Sequence, residues 1–269
     1  MIKEKSLGIQ IPEKILVPMA KGGSSTKAFQ IASSFAMKYN SQLTFLTIKE
    51  EVKEITWSDK IAIIMNAHRE VTSKGIKSIP RIQSAKSIKE GILKEINSKP
   101  YDLTFMSHRQ RKSVSTSIFG SIGDTVMKKT NKTVAMISSV GRPTHYRNIF
   151  VPITERLNTR KSVYLSVLLA HAEDAKLTIC DMRNFDRKKI HGFKVFMEEK
   201  PWDSLEVETD IIVKNTDGVR ETVMQALYTS GADCVVLGVR PDEYHNVRIN
   251  GDLKRIIKDF AEDSILVKR

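Results

Sequence analysis

Cysteine is nearly absent: 269 residues hold only Cys180 and Cys234. Both lie inside apolar, strand-like runs, KLTICDM and DCVVLGV, with no CxxC or metal-ligand spacing. They read as small buried hydrophobes in a reducing compartment. No run approaches the roughly 20 apolar residues of a membrane helix. Met1 to Gln10 is charged and lacks an apolar signal core, so export is not expected and a cytoplasmic location is. The six histidines, His68, His108, His145, His171, His191 and His245, are scattered without an HExxH pattern or a carboxylate at ligand spacing. There is no GxSxG, no P-loop and no complete dinucleotide fingerprint. With no base, nucleophile or metal set at working spacing, neither an enzyme nor a metal protein is expected.

Positive charge, in contrast, is abundant and lopsided. The formal net charge is +13, and residues 1–140 hold 23 Lys+Arg against 11 Asp+Glu. That leaves 21 basic and 20 acidic residues in the remainder, so the first half carries +12 and the second +1. Such a field concentrates anions near one part of the molecule. The lysines are spread over many elements without aromatic interleaving, so nucleic acid is not an expected partner. A protein partner at the anionic inner face of a membrane fits the charge better. With no amphipathic anchor or lipidation motif, any membrane association goes through that partner.

The length allows two domains, and the pattern along the chain supplies them. Lys14-Ile-Leu-Val-Pro18 reads as a strand ended by proline. The loop AKGGSST follows, and then a helix with Phe29, Ala32, Phe35 and Ala36 on one face. GGSST has the look of a phosphate loop without its Gly-Lys-Ser/Thr ending, and equally of a flexible loop closing on a helix N-cap. Further strands are expected at Leu43–Ile48, near Ile79–Gln83, at Asp102–Met106 and at Thr133–Ile137. Helices are expected near 57–74, 87–97 and 122–129. Alternation of this kind implies parallel strands covered on both faces. Trp57 and Trp202 fall in helix-flanking segments and read as local packing.

The second half repeats the first. Asn148-Ile-Phe-Val-Pro152 answers the opening strand and Leu177-Thr-Ile-Cys180 answers Leu43-Thr-Phe-Leu46, both at an offset of 134. Asp233 onward answers Asp102 onward and Gly251 answers Gly120, both at 131. Ordered matches at near-constant offset indicate a duplication. Ser138 to Thr144 has turn chemistry and reads as the linker. The domains are therefore placed at 1–140 and 141–269, with Arg183 to Glu206 the most divergent stretch.

Ligands of open parallel sheets bind beyond the carboxyl ends of the strands where strand order reverses. Three first-half segments should meet there: the loop after Pro18 with Met19 and Ala20, the strand end near Ile48, and the loop from Ser107 to Ser121 leading into Ile122. Gly120-Ser121 at a helix start offers N–H groups, a hydroxyl and a positive dipole end, all suited to phosphate. Arg109, Arg111 and Lys112 add charge in the same loop. The same residues also read as a helix cap and a solvated basic loop.

KILVP, QLTFLTI, YDLTFMS and IFGSIGDTVMKKTNKTVAMI resemble a universal stress protein domain, and the whole chain resembles two tandem copies. The resemblance implies an α/β fold of two doubly wound, five-stranded parallel-sheet domains, Rossmann-like and of the adenine nucleotide alpha hydrolase type. It implies AMP, ADP or ATP as ligand and a regulatory role in stress response. It also implies pairing through the last strands, either within the chain or in a homodimer. Nucleotide-binding members carry Gly-x2-Gly-x9-Gly-Ser/Thr, with an acidic residue two places after the first strand's proline. In the first copy those glycines are Ser107 and Gln110, Gly120-Ser121 is in place, and Ala20 replaces the acid. In the second copy Gly238, Pro241 and Gly251 precede Asp252, and Thr154 takes the acidic position. A carboxylate at Asp252 repels phosphate, so binding is expected only in the first copy, at Pro18, Met19, Ala20, Ile48, Ser107, Arg109, Gln110, Gly120, Ser121 and Ile122. The alternative is a nucleotide-free scaffold acting on a partner such as a membrane transporter.

Overall fold

The computed structural model describes residues 10–20, 25–51, 57–109, 120–140, 145–154, 160–182, 197–214, 218–239 and 251–268. In the first half these form β1 (Lys14–Pro18), α1 (Thr26–Tyr39), β2 (Gln42–Glu50), α2 (Trp57–Ser73), β3 (Ser78–Ala85), α3 (Ile88–Ser98), β4 (Leu103–Arg109), α4 (Gly120–Lys129) and β5 (Val134–Ser139). The second half supplies β6 (Asn148–Ile153), α5 (Arg160–Glu173), β7 (Lys176–Asp181), the single turn α6 (Pro201–Ser204), β8 (Thr209–Val213), α7 (Val219–Ser230), β9 (Cys234–Val239), α8 (Gly251–Asp259) and β10 (Asp263–Lys268).

All ten strands join one sheet in the order β3-β2-β1-β4-β5-β10-β9-β6-β7-β8. Pairing is parallel within each half. Each half thus has the same order, with the reversal between its first and fourth strands. β5 and β10 meet antiparallel, Val134 opposite Lys268 and Ser138 opposite Ser264, so the last strands close the chain on itself. Those two strands are buried at every position around the apolar runs Val134–Ile137 and Ile265–Val267, which is why neither is left at an edge. At the real edge, Lys77 and Ala85 turn their carbonyls toward β2. By alternation Pro80, which has no N–H, faces outward, where it interrupts the edge's donors.

Period-two alternation sends side chains to two cores. Ile15, Val17, Leu43, Phe45 and Phe105 pack beneath α1 and α5 with Tyr146, Trp202 and Val236. Leu16, Leu46, Ile48 and Met106 pack beneath α3 and α4, in a core continued by Phe150 and Leu237 under α7 and α8. Each core runs through both halves, so the halves share their hydrophobic interior. Cys180 and Cys234 are buried and free, and burial pushes the Cys180 thiol up to about 11.

The helix face expected at Phe29, Ala32, Phe35 and Ala36 is present but rotated. Ala28, Ile31, Ala32, Phe35 and Ala36 are buried, while Phe29 is half-buried and packs on Phe45 with ring centroids 5.6 Å apart. α1 also lies against α5, its counterpart in the second half. There the Tyr39 hydroxyl donates to the Leu168 carbonyl at 3.0 Å, and the same oxygen lies 2.8 Å from His171 Nδ1.

Candidate functional site

The reversal of strand order in the first half opens a crevice between the carboxyl ends of β1 and β4. Pro18 ends β1 opposite Leu46, and the Met19 N–H continues the ladder to the Leu46 carbonyl at 2.8 Å. Ala20 is exposed, and its N–H donates to the Ser25 hydroxyl at 3.2 Å. Ser25 occupies the N-cap position of α1, yet its side chain makes no capping bond. Having turned back toward Ala20, that hydroxyl closes the loop instead of the helix. The expected N-cap role therefore falls to a residue from another strand. Ser107 Oγ, at the end of β4, accepts the Ala28 N–H in the first turn of α1 at 3.2 Å.

The Ser107 hydroxyl thus ties β4 to α1. His108 follows, half-buried, with its ring over the start of α4: a Cβ built on Gly120 would lie 3.7 Å from His108 Cε1. Gly120 has φ +73, a left-handed conformation that glycine adopts without strain. Ser121 is exposed in the first turn of α4, where there is no acidic residue, and Ile122 is partly buried against the lower core. Arg109 is the last residue of β4, opposite Ser139. Gln110, Arg111 and Lys112 lie outside the described residues, as do Gly22, Gly23, Pro241, His191 and His245.

Ile48 is placed differently from the rest. Its side chain is 4% exposed and fills the space over Gly91 of α3, where an added Cβ would come within 2.7 Å of Ile48 Cδ1. What Ile48 offers outside the core is its carbonyl, which accepts Lys60 Nζ at 3.1 Å. The crevice thus gathers Pro18, Met19, Ala20, Ser107 and His108 with the start of α4, while the Ile48 side chain belongs to the core.

The corresponding place in the second half has other chemistry. Thr154 is buried, Gly238 lies within β9, and Gly251 opens α8 without a left-handed φ. Asp252 sits in the first turn of α8, where its charge complements the helix dipole and opposes an anion. Among the described residues no three His, Cys, Asp or Glu side chains cluster as metal ligands. No helix among them is long and apolar enough to cross a membrane.

Sequence reasoning missed a buried network beside the first crevice. Lys27, the second residue of α1, lies 3.5 Å from Asp263 Oδ2, and the two side chains are 7% and 2% exposed. The Lys27 ammonium also sits 4.1 Å above the centre of the Tyr146 ring. Asp263 further accepts the Tyr146 hydroxyl at 3.0 Å and the Val140 N–H at 2.9 Å. Burial first, and then the neighbouring Asp263 and Glu173 carboxylates, hold the Tyr146 hydroxyl far above its usual pKa, so it stays a donor. The partners come from opposite ends of the chain, so no local spacing could announce them.

Residues 12–138 match the universal stress protein family. The first half is a universal stress protein domain. Among curated proteins none matches the chain. A universal stress protein from Archaeoglobus fulgidus DSM 4304 is 13% identical with a TM-score of 0.68, over 96% of this chain and 98% of that one. A putative universal stress protein from Pseudomonas aeruginosa UCBPP-PA14 is 13% identical with a TM-score of 0.62, over 98% and 95%. The cytoplasmic domain of a prokaryotic cation chloride cotransporter is 12% identical with a TM-score of 0.60, over 94% of both chains. At such identities the likeness is one of fold, and it extends over both halves.

Proposed function

We propose that this chain is a regulatory tandem universal stress protein, divided at 1–140 and 141–269, that binds an adenine nucleotide or related small anion in its first half only. The carrying observation is the left-handed Gly120, which starts α4 beside the β4 end and leaves Ser121 exposed in a first turn free of acidic residues. A helix start of this kind offers N–H groups that have no intrahelical acceptor and a dipole suited to phosphate. The net charge of +12 in residues 1–140 favours anions at long range. Ser107 and Gln110 in place of glycines narrow the approach of a triphosphate, so AMP fits the reading better than Mg-ATP. The second half serves as the structural partner, and Asp252 keeps its helix start from taking phosphate.

A second reading is a nucleotide-free module at the cytoplasmic face of a membrane transporter. The Ser107 hydroxyl closing the crevice onto α1 favours it, as does the fold shared with a cotransporter's cytoplasmic domain. Calorimetry and melting curves with AMP, ADP, ATP and cyclic AMP separate the two. The nucleotide reading expects heat and a raised Tm with at least one of them, lost in Gly120→Val and Ser121→Asp and kept in Gly251→Val. Millimolar nucleotide without heat or shift refutes it, and binding that survives both first-half substitutions means the site lies elsewhere.

A further inference from the structure

The Lys27–Asp263–Tyr146 network lies where the proposed nucleotide crevice meets the seam between the halves. Lys27 is one residue from Ala28, whose N–H is held by the crevice residue Ser107. Asp263 begins β10, the strand that crosses to β5, and Val140 and Tyr146 flank the connection between the halves. One buried cluster therefore ties the first turn of α1 to the second half.

The cluster has the features of a release. Its Lys27–Asp263 separation of 3.5 Å is long for a charge-assisted hydrogen bond, which lies nearer 2.7–2.9 Å. Asp263 keeps two other donors, the Tyr146 hydroxyl and the Val140 N–H, so it stays hydrogen-bonded if the ammonium leaves. Lysine carries its charge on a flexible four-carbon stem, which lets it move without moving the helix. At the matching position in the second half, Lys161 is exposed and donates to the Thr133 hydroxyl at 3.2 Å. The buried lysine–carboxylate pair lies in the half that keeps Gly120-Ser121.

We propose that Lys27 couples the crevice to the seam: an anion bound beside α1 draws the ammonium from Asp263, so that occupancy of the first half loosens the β5–β10 junction. The proposal rests on the nucleotide reading of the crevice, and it assigns the second half a role as the sensing partner. Coupling of this kind is reciprocal, so weakening the hold of Asp263 strengthens anion binding.

The test uses the whole chain, with AMP and inorganic phosphate as probes. Asp263→Asn keeps the side-chain shape and removes the competing charge. It is expected to tighten AMP by about tenfold, while Lys27→Met weakens it and the double variant behaves as Lys27→Met alone. A second measurement needs no substitution: saturating AMP should speed amide exchange across Val134–Ser139 and Asp263–Lys268 in the native chain, and not in Lys27→Met. If the native chain binds AMP while Asp263→Asn binds it equally, or while seam exchange is unmoved, the coupling is overturned and the nucleotide reading stands. If the native chain binds neither probe and Asp263→Asn binds AMP, native nucleotide binding falls while the hold on Lys27 is upheld. If neither protein binds, both fall.

Discussion

The two halves share one strand order and one pattern of helices, yet they differ where corresponding residues face the strand ends. Gly120 is left-handed and leads to Ser121, whereas Gly251 is not and leads to Asp252. Lys27 is buried against a carboxylate of the other half, while Lys161 reaches a hydroxyl at the surface. Residues that build strands fix where the crevices form. A handful of positions outside the cores differs between the two crevices, and those positions diverge without disturbing the fold.

The largest effect expected from breaking this comparison is at Lys27. Removing one partner of a buried ion pair leaves an uncompensated charge, at a cost of about 3–5 kcal/mol. Because Asp263 keeps two donors, Lys27→Met should fall at the lower end of that range in urea unfolding. Lys161→Met, at an exposed position where interactions are screened by water, should stay within about 1 kcal/mol. Equal losses would mean that the halves are not asymmetric at the seam.

Next comes Gly91, where a Cβ would press into Ile48 at 2.7–2.8 Å. Gly91→Ala should destabilise by about 1–3 kcal/mol through overpacking. The double variant Gly91→Ala with Ile48→Val, with less side chain to press against, should recover part of the loss. Failure of that rescue in denaturant titration would show that Ile48 is not what occupies the space.

A smaller effect separates the two helix starts. Gly120→Ala places a side chain at φ +73 and should cost about 1–2 kcal/mol. Gly251→Ala meets no neighbour among the described residues and has no such φ, so it should be neutral or slightly stabilising. Paired melting curves of the two variants read the difference directly.

Most of the fold was legible because it rests on local signals. Proline ended β1, the helix expected over 87–97 is α3 with Ser87 as its cap, and the repeat offsets matched strand to strand. The pairing of β5 with β10 was implied by the family resemblance, and the cost of an apolar strand left at an edge agrees with it. The site was legible only as a location. Spacing brought Pro18, Ser107 and Gly120 to one place, but it assigned Ile48 to the crevice when parity along β2 turns that side chain toward Gly91. It also expected the GGSST loop to close on a helix N-cap, whereas the Ser25 hydroxyl turns back to Ala20 and Ser107 of β4 accepts the Ala28 N–H. These departures share a cause: each depends on which face or neighbour a side chain meets across strands, and Lys27–Asp263 is the extreme case.

The smallest effect concerns the packing of α1 on α5, where the second half contributes a histidine that titrates near neutral pH. His171 of α5 lies beside Tyr39, while the corresponding position of α1 at the same 134-residue offset is Met37. Burial first, and then the nearby Lys38 ammonium, hold the His171 pKa below its usual 6.5, with Asp174 and Glu206 opposing. A folded-state value below the unfolded one means that the unfolded chain takes the proton more readily. The stability from neutral His171 is therefore complete above about pH 6.5 and is lost as pH falls through the unfolded and then the folded value. Below both values the loss stops growing. Unfolding free energies at pH 7.5 and 5.5 should drop more for the native chain than for His171→Gln, which keeps a polar partner for Tyr39 and does not titrate. Equal drops would assign the acid sensitivity to carboxylates elsewhere and make the α1–α5 contact as insensitive to protons on the α5 side as Met37 makes it on the other.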